Sequence, residues 1–298
     1  VDGTGFGGGD GGATGEAGGV GGAAPQSKGV VRPDNRVDVR RLPVPHDVSA
    51  LARHVWIPRW DLPAGEVLAQ PVLEYPGTNV VIEPAVAALY GPQRGLSTVD
   101  LRGRSWAVGV LLRPAAGTIL TCRSMADIAG TVREVPKGGR LVPAVRAAMG
   151  GRDPVDVDDA QVDGAAGDGT AVDDAVVALI LDWLRQFTID DEGLLINAIV
   201  DDVESDDKLI RVADIAARFS MDQRRLQRIC RRRIGYSPTW LIRRRRLQEA
   251  SARLRDDPDS RLADVAQELG YSDQAHFARD FAAVMGMPPG AYRAEAGR

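Results

Sequence analysis

Cysteine, histidine and long apolar runs are scarce in this 298-residue chain, and each shortage removes a class of explanation. The two cysteines, Cys122 and Cys230, lie far apart with no partner pattern, so neither a disulfide framework nor a zinc site is expected. Of the three histidines, His46 and His54 lack the spacing of a metal pair, and no carboxylate constellation or nucleophile motif accompanies them. No catalytic residue, metal or cofactor is therefore expected. No apolar stretch approaches membrane-spanning length, and no charged segment followed by an apolar one opens the chain. The expected setting is a reducing cytoplasm, with no membrane partner. Large apolar residues are almost missing from Val1 to Gly29, where 13 positions are glycine, so too little surface can be buried to offset ordering, and disorder is expected.

What is present is an uneven distribution of charge. The whole chain carries −4, which taken alone argues against nucleic acid. Counted by segment, residues 208 to 298 hold 19 Lys and Arg against 11 Asp and Glu, net +8, whereas the remainder holds 18 against 30, net −12. Between Asp153 and Asp207 there are 17 acidic residues and one basic, Arg185. This juxtaposition predicts a tethered acidic segment that competes with phosphate for the basic face, with a solvated surface and soluble linker as the competing expectation.

The basic region contains one helix-turn-helix pattern written twice. Val212, Ile215, Ala216 and Phe219 make the apolar stripe of a short helix; Ser220 and Gln223 read as a capping box, and a second helix carries Leu226, Ile229, Cys230 and Ile234 inward until Gly235 stops it. Leu262, Val265, Ala266 and Leu269 repeat the stripe, Gly270 and Tyr271 make the turn, and Phe277, Phe281 and Val284 are expected inside until Gly286. The copies are offset by 50 in the first helices (Asp214 with Asp264) and by 51 in the second (Leu226 with Phe277, Arg228 with Arg279, Gly235 with Gly286). Pro238 to Arg255 reads as a long helix between them, with Trp240, Leu247, Ala250 and Leu254 in register. Arg224 and Arg228 suit the N7 and O6 acceptors of guanine, Gln227 and Gln274 suit adenine, and Asp273 is placed to accept from cytosine. Arg243 to Arg246 is spread around the helix by its 100° steps, so only part of it can face phosphate; Arg231, Arg243 and Arg246 are the phosphate candidates.

Together with the run Pro238, Trp240, Leu241, Arg246, Leu247, Ala250, the closing run Leu269 to Phe281 and Pro289-Gly290-Ala291-Tyr292-Arg293, this stretch resembles the DNA-binding domain of AraC-type (AraC/XylS) transcription regulators. The resemblance covers roughly the last 90 residues. It implies that Arg224, Gln227, Arg228, Asp273, Gln274 and Arg279 lie near bases of double-stranded DNA. It also implies transcription regulation, with RNA polymerase, a small-molecule effector and a second copy of the chain as further candidate partners.

Upstream, short apolar runs alternate with Gly and Pro: Val67 to Tyr75, Asn79 to Glu83, Val86 to Tyr90, Trp106 to Leu112 and Thr118 to Cys122 are expected strands, and Ala126 to Val132 a short helix. Trp56, Trp60, Tyr75, Tyr90 and Trp106 cluster there and are candidates for lining an effector pocket, with an ordinary core as the competing expectation. Segments around Trp56-Ile57-Pro58, Tyr90-Gly91-Pro92 and Gly109 to Pro114 are similar to N-terminal domains of some AraC-type regulators. The expected architecture is an α+β multidomain chain: residues 1–47 a Gly-rich tail and lead-in, 48–149 a β-rich sensor or dimerisation domain, 150–207 an acidic linker with two helices, and 208–298 an all-α DNA-binding domain with two helix-turn-helix units joined by a long helix. The rival reading is an enzyme or metal-binding module fused to a DNA-targeting domain.

Overall fold

A computed structural model describes residues 35–73, 75–150, 169–257 and 259–296. The Gly-rich tail and the Gly and Asp-rich stretch from 151 to 168 lie outside the described residues.

The N-terminal part is built on strands β1 Val37–Pro43, β2 Ala52–Asp61, β3 Val67–Leu73, β4 Asn79–Ile82, β5 Ala87–Tyr90, β6 Leu96–Arg102, β7 Arg104–Trp106, β8 Val108–Leu112 and β9 Val132–Arg133. Antiparallel pairing orders the main sheet β1-β2-β8-β4-β5-β9, with β7 alongside β2, while β3 and β6 form a separate ribbon. On one face Val55, Ile57, Val80, Ile82, Val108 and Val110 are fully buried. The β3–β6 ribbon covers part of the other, where Leu101 packs with Trp60, Leu62 and Ala107. Gly109 is required in β8 because the Trp56 indole occupies the space a Cβ would need.

Helices α1 Pro114–Thr121, α2 Met125–Ile128, α3 Gly138–Ala148 and α4 Gly169–Leu184 complete this core, to which α4 contributes Val176, Ile180, Trp183 and Leu184. Helix α4 is also fixed by charge: the Asp173 carboxylate, 0% exposed, accepts from Arg40 of β1 and Arg59 of β2, both at 2.5 Å. Helix α5 Asp191–Ser205 belongs instead to a second core with α6 Val212–Arg218, α7 Gln223–Ile234 and the start of α8 Pro238–Asp256. The rest of α8 joins α9 Leu262–Glu268, α10 Gln274–Met285 and α11 Pro289–Ala296 around Phe277, Phe281 and Tyr292.

Three expectations are corrected. The sheet begins inside the presumed lead-in, because β1 pairs with β2 along its whole length, Val37 opposite Trp60 through Pro43 opposite His54. Thr118 to Cys122 is not a strand: Pro114 opens α1 at its first turn, and the β-branched residues of the run lie on a helix that buries Ala115, Ala116 and Leu120. The short helix stops at Ile128, and Val132 joins the sheet as edge strand β9. The two helices expected after Thr170 are present and belong to two different cores, with Trp183 and Ile199 both within 2% of complete burial.

Candidate nucleic-acid interface

Both helix-turn-helix units are set by the same local device. Asp222 caps α7, its Oδ1 accepting from the Arg225 amide at 2.8 Å, and Asp273 caps α10, its Oδ1 accepting from the His276 amide at 2.7 Å. Each carboxylate satisfies an orphan donor and complements the positive end of its helix. The His276 amide holds the Asp273 carboxyl below the ordinary range against the cost of desolvation. Each helix ends on a left-handed glycine, Gly235 at φ 87° and Gly286 at φ 72°. Ser220 is not the cap expected from the sequence; it sits in the turn at φ 48°, two residues ahead of the aspartate that does the capping.

Burial divides each second helix cleanly. In α7, Leu226, Ile229, Cys230 and Ile234 are inside, whereas Arg224, Arg225, Gln227, Arg228 and Arg231 are exposed. In α10, Phe277, Phe281 and Met285 are inside, Val284 is only half-buried, and Gln274 and Arg279 are exposed. Among the described residues none forms an ion pair with Arg224, Arg225, Arg228, Arg231 or Arg279. Asp273 shares the surface, but its oxygens are engaged by the His276 amide and, at 3.2 Å, by the Ser272 hydroxyl. Arg225 is a free cation that the sequence reading did not select; its place one step from Arg224 on an exposed helix was the available signal.

The arginine run of α8 behaves differently from its composition. Arg244 and Arg245 are 4% and 7% exposed. Arg245 donates to the backbone carbonyls of Asp206 at 2.7 Å and Asp207 at 3.1 Å, so it fastens α8 to the end of α5. Arg244 donates to Gln248 at 2.9 Å and lies 4.7 Å over the Tyr75 ring, which Arg53 covers at 4.9 Å. The two phosphate candidates in the run have internal partners: Arg243 pairs with Asp280 of α10 at 2.9 Å, and Arg246 donates to the Ile210 carbonyl at 3.3 Å beside the Tyr271 ring.

The described acids of the 153–207 segment do not lie on the reading face. Arg233, on the buried side of α7 at 1% exposure, is held by Asp190 and by Glu192 at 2.9 Å. Arg218 pairs with Asp202 at 3.2 Å and Asp206 at 2.7 Å, and Glu204 pairs with Arg53 at 2.7 Å. These carboxylates are paired along the seam that α5 makes with α6, α7 and β2, and none of them pairs with Arg224 or Arg228.

The same seam joins the first unit to the β domain. The Tyr236 hydroxyl donates to the Pro92 carbonyl at 2.9 Å, Arg94 lies 5.0 Å over the Tyr236 ring, and the Thr118 hydroxyl donates to the Arg232 carbonyl at 3.3 Å. Two cavities open there, of about 190 and 460 Å³, both bordered by Arg94. None of Trp56, Trp60, Tyr75, Tyr90 or Trp106 lines either one. The structure disperses those five: Trp106 packs on the helix-covered core, Trp60 under the β3–β6 ribbon, Trp56 over Gly109, Tyr75 between two guanidinium groups, and Tyr90 lies in β5 opposite Asn79 and Val132. Among the described residues no group of three or more His, Cys, Asp and Glu is placed to hold a metal ion. No described helix is long and apolar enough to cross a membrane.

Two capped helix pairs on one long helix, each with an exposed polar reading face, define a double helix-turn-helix DNA-binding domain. A family model described as a helix-turn-helix domain matches residues 215–295, and one described as a domain of unknown function (DUF6597) matches residues 40–134. The chain is 31% identical over 109 residues to the HTH-type transcriptional regulator MtrA of Neisseria gonorrhoeae, covering 36% of this chain and 34% of that protein. It is 34% identical over 82 residues to the HTH-type transcriptional activator RhaS of Pectobacterium carotovorum, covering 28% and 29% respectively. Through this helix-turn-helix region the chain is similar to these transcription regulators. It spans about a third of the length of the curated relatives it matches. Among solved structures, ToxT from Vibrio cholerae is similar with 13% identity and a TM-score of 0.36, over 86% of this chain and 97% of that one.

Proposed function

We propose that this chain is a sequence-specific DNA-binding transcription regulator that places α7 and α10 in successive major grooves of one duplex. The observation that supports this most is the pairing of two equivalent reading helices, each capped by aspartate and stopped by glycine, with Arg224, Arg225, Arg228, Arg231 and Arg279 exposed and in no ion pair among the described residues. Arg224, Gln227, Arg228, Gln274 and Arg279 are assigned to base edges, and Asp273 positions α10 through its cap and adds a base contact where its remaining lone pairs allow. Arg231 and Arg225 take phosphate, with Arg243 and Arg246 contributing where they exchange their internal partners for the backbone. No catalytic step is assigned. The β domain, in this reading, answers to a small molecule or a second copy of the chain, and regulation is exerted on RNA polymerase in the cytoplasm.

The test is genome-wide mapping of bound fragments followed by gel-shift titration of the recovered sites. Replacing Arg224, Arg228 and Arg279 together by alanine should abolish preference for those sites over random duplex while leaving the fold intact by circular dichroism. Unchanged affinity for every sequence after that replacement would refute the assignment.

A further inference from the structure

The two reading helices are built alike, so position-by-position comparison shows where they differ in chemistry. With the caps Asp222 and Asp273 superposed, the 51-residue offset matches Arg224 with Ala275, Gln227 with Ala278, Arg228 with Arg279 and Arg231 with Ala282. These four positions fall within about 100° of one another on the outward side of each helix, at 100° per residue. Unit one therefore presents Arg, Gln, Arg and Arg, and unit two presents Ala, Ala, Arg and Ala. Just beyond them Arg232 is matched by Ala283.

The difference has direct chemical consequences. Arginine fingers donate twice to guanine and neutralise phosphate, whereas an alanine methyl donates nothing and finds its complement in the C5-methyl of thymine. Small side chains also let the α10 backbone approach the groove floor closely, where Gln274 at its exposed start is suited to adenine. Arg279 remains as the one guanidinium on this face of α10. Asp280, its neighbour in sequence, is turned to Arg243.

We propose, resting on the reading of the chain as a DNA-binding regulator, that its operator is chemically polarised. The block under α7 is rich in guanine and carries most of the salt-sensitive affinity, and the block under α10, about one helical turn away, is dominated by A·T pairs with thymine methyls facing the helix. The cognate DNA is thus a directional site, with an order of blocks that fixes the orientation of the β domain on the duplex.

Selection of the full chain against a random-sequence duplex library tests this. The expected motif has two blocks about 10 to 11 base pairs apart, one with at least two invariant guanines and the other with at most one. The variant Ala275→Arg with Ala282→Arg makes unit two resemble unit one; both sites are on the outward side, and circular dichroism checks that α10 remains folded. It should recruit guanine into the second block and steepen the dependence of log affinity on log salt by about two. As a second handle, Arg224→Ala with Arg228→Ala should erase guanine preference in the first block only. Two equally guanine-rich blocks for the unaltered chain, or an Ala275→Arg, Ala282→Arg variant that is folded and leaves the second block unchanged, would overturn the polarity while leaving sequence-specific binding in place. Recovery of no motif would overturn the regulator reading itself.

Discussion

Arg233 is where acidic helix α5 grips the first reading helix, and the two sides of that grip should differ in cost. The arginine side chain is 1% exposed, whereas Asp190 and Glu192 are 53% and 33% exposed. In Arg233→Met the apolar replacement fills much of the site, the acids rehydrate in place, and the desolvation of Nη1, which has no partner among the described residues, is relieved. Two charge-assisted hydrogen bonds are lost, each worth about 1.5–3 kcal/mol in general, but these offsets should bring the net loss to about 1 kcal/mol. The reverse perturbation, Asp190→Asn with Glu192→Gln, retains an oxygen to cap the Gly193 amide, now at 2.8 Å, yet leaves a guanidinium buried without counter-charge. Breaking a buried pair in that direction costs about 3–5 kcal/mol, and with amide oxygens still able to accept, about 3 is expected. Urea unfolding followed by circular dichroism, with hydrogen exchange of the α7 amides to localise the change, measures both. If Arg233→Met proved as damaging as the double amide variant, burial of the guanidinium would not be the deciding term, and the reasoning would fail.

Other outcomes follow from the same geometry. Asp173→Ala leaves Arg40 and Arg59 without their shared carboxylate, but both are 32% exposed and can rehydrate, so a loss of about 3 kcal/mol is expected, confined by hydrogen exchange to α4 and the sheet. Burial, with Arg41 and Arg53 adding to it, pushes the His54 imidazole down to about 4 from 6.5; the unfolded chain therefore binds the extra proton first, and stability should be full above pH 6.5 and fall as pH drops towards 4, a slope that His54→Leu should flatten. Gly235→Ala and Gly286→Ala share a left-handed φ, costing about 1–2 kcal/mol, but only the first places a Cβ 2.9 Å from the Met125 carbonyl oxygen, so equal melting temperatures would contradict the seam. Arg225→Gln should lower the salt slope of DNA binding by about one, whereas Arg245→Gln, whose guanidinium is turned to the Asp206 and Asp207 carbonyls, should leave it unchanged.

The double helix-turn-helix was legible because its instructions are local. Apolar spacing, a glycine after each second helix and a repeat of nearly constant offset are all visible within a few residues, and each side of each helix has a partner encoded nearby. Where the partner is remote the reading failed. The sequence of β1 carries Arg40 and Arg41 among its apolar residues, and nothing local says that Arg40 will meet Asp173, 133 positions away, under a helix. Thr118 to Cys122 has the β-branched content of a strand, and only Pro114 at the start of α1 argues otherwise. Charge misled in the same way. The ten arginines between Met221 and Arg246 look alike in a count, yet Arg233, Arg244 and Arg245 are buried, Arg243 and Arg246 are half-buried, and five on α7 are exposed. Of those five, Arg232 has an acid within 3.4 Å, at Glu192. The charge that α7 and α8 can offer a duplex is therefore nearer four than the +9 of the segment, because the rest has partners within the chain: Arg232 and Arg233 meet acids at the start of α5, Arg243 meets Asp280, and Arg245 and Arg246 donate to carbonyls between Asp206 and Ile210.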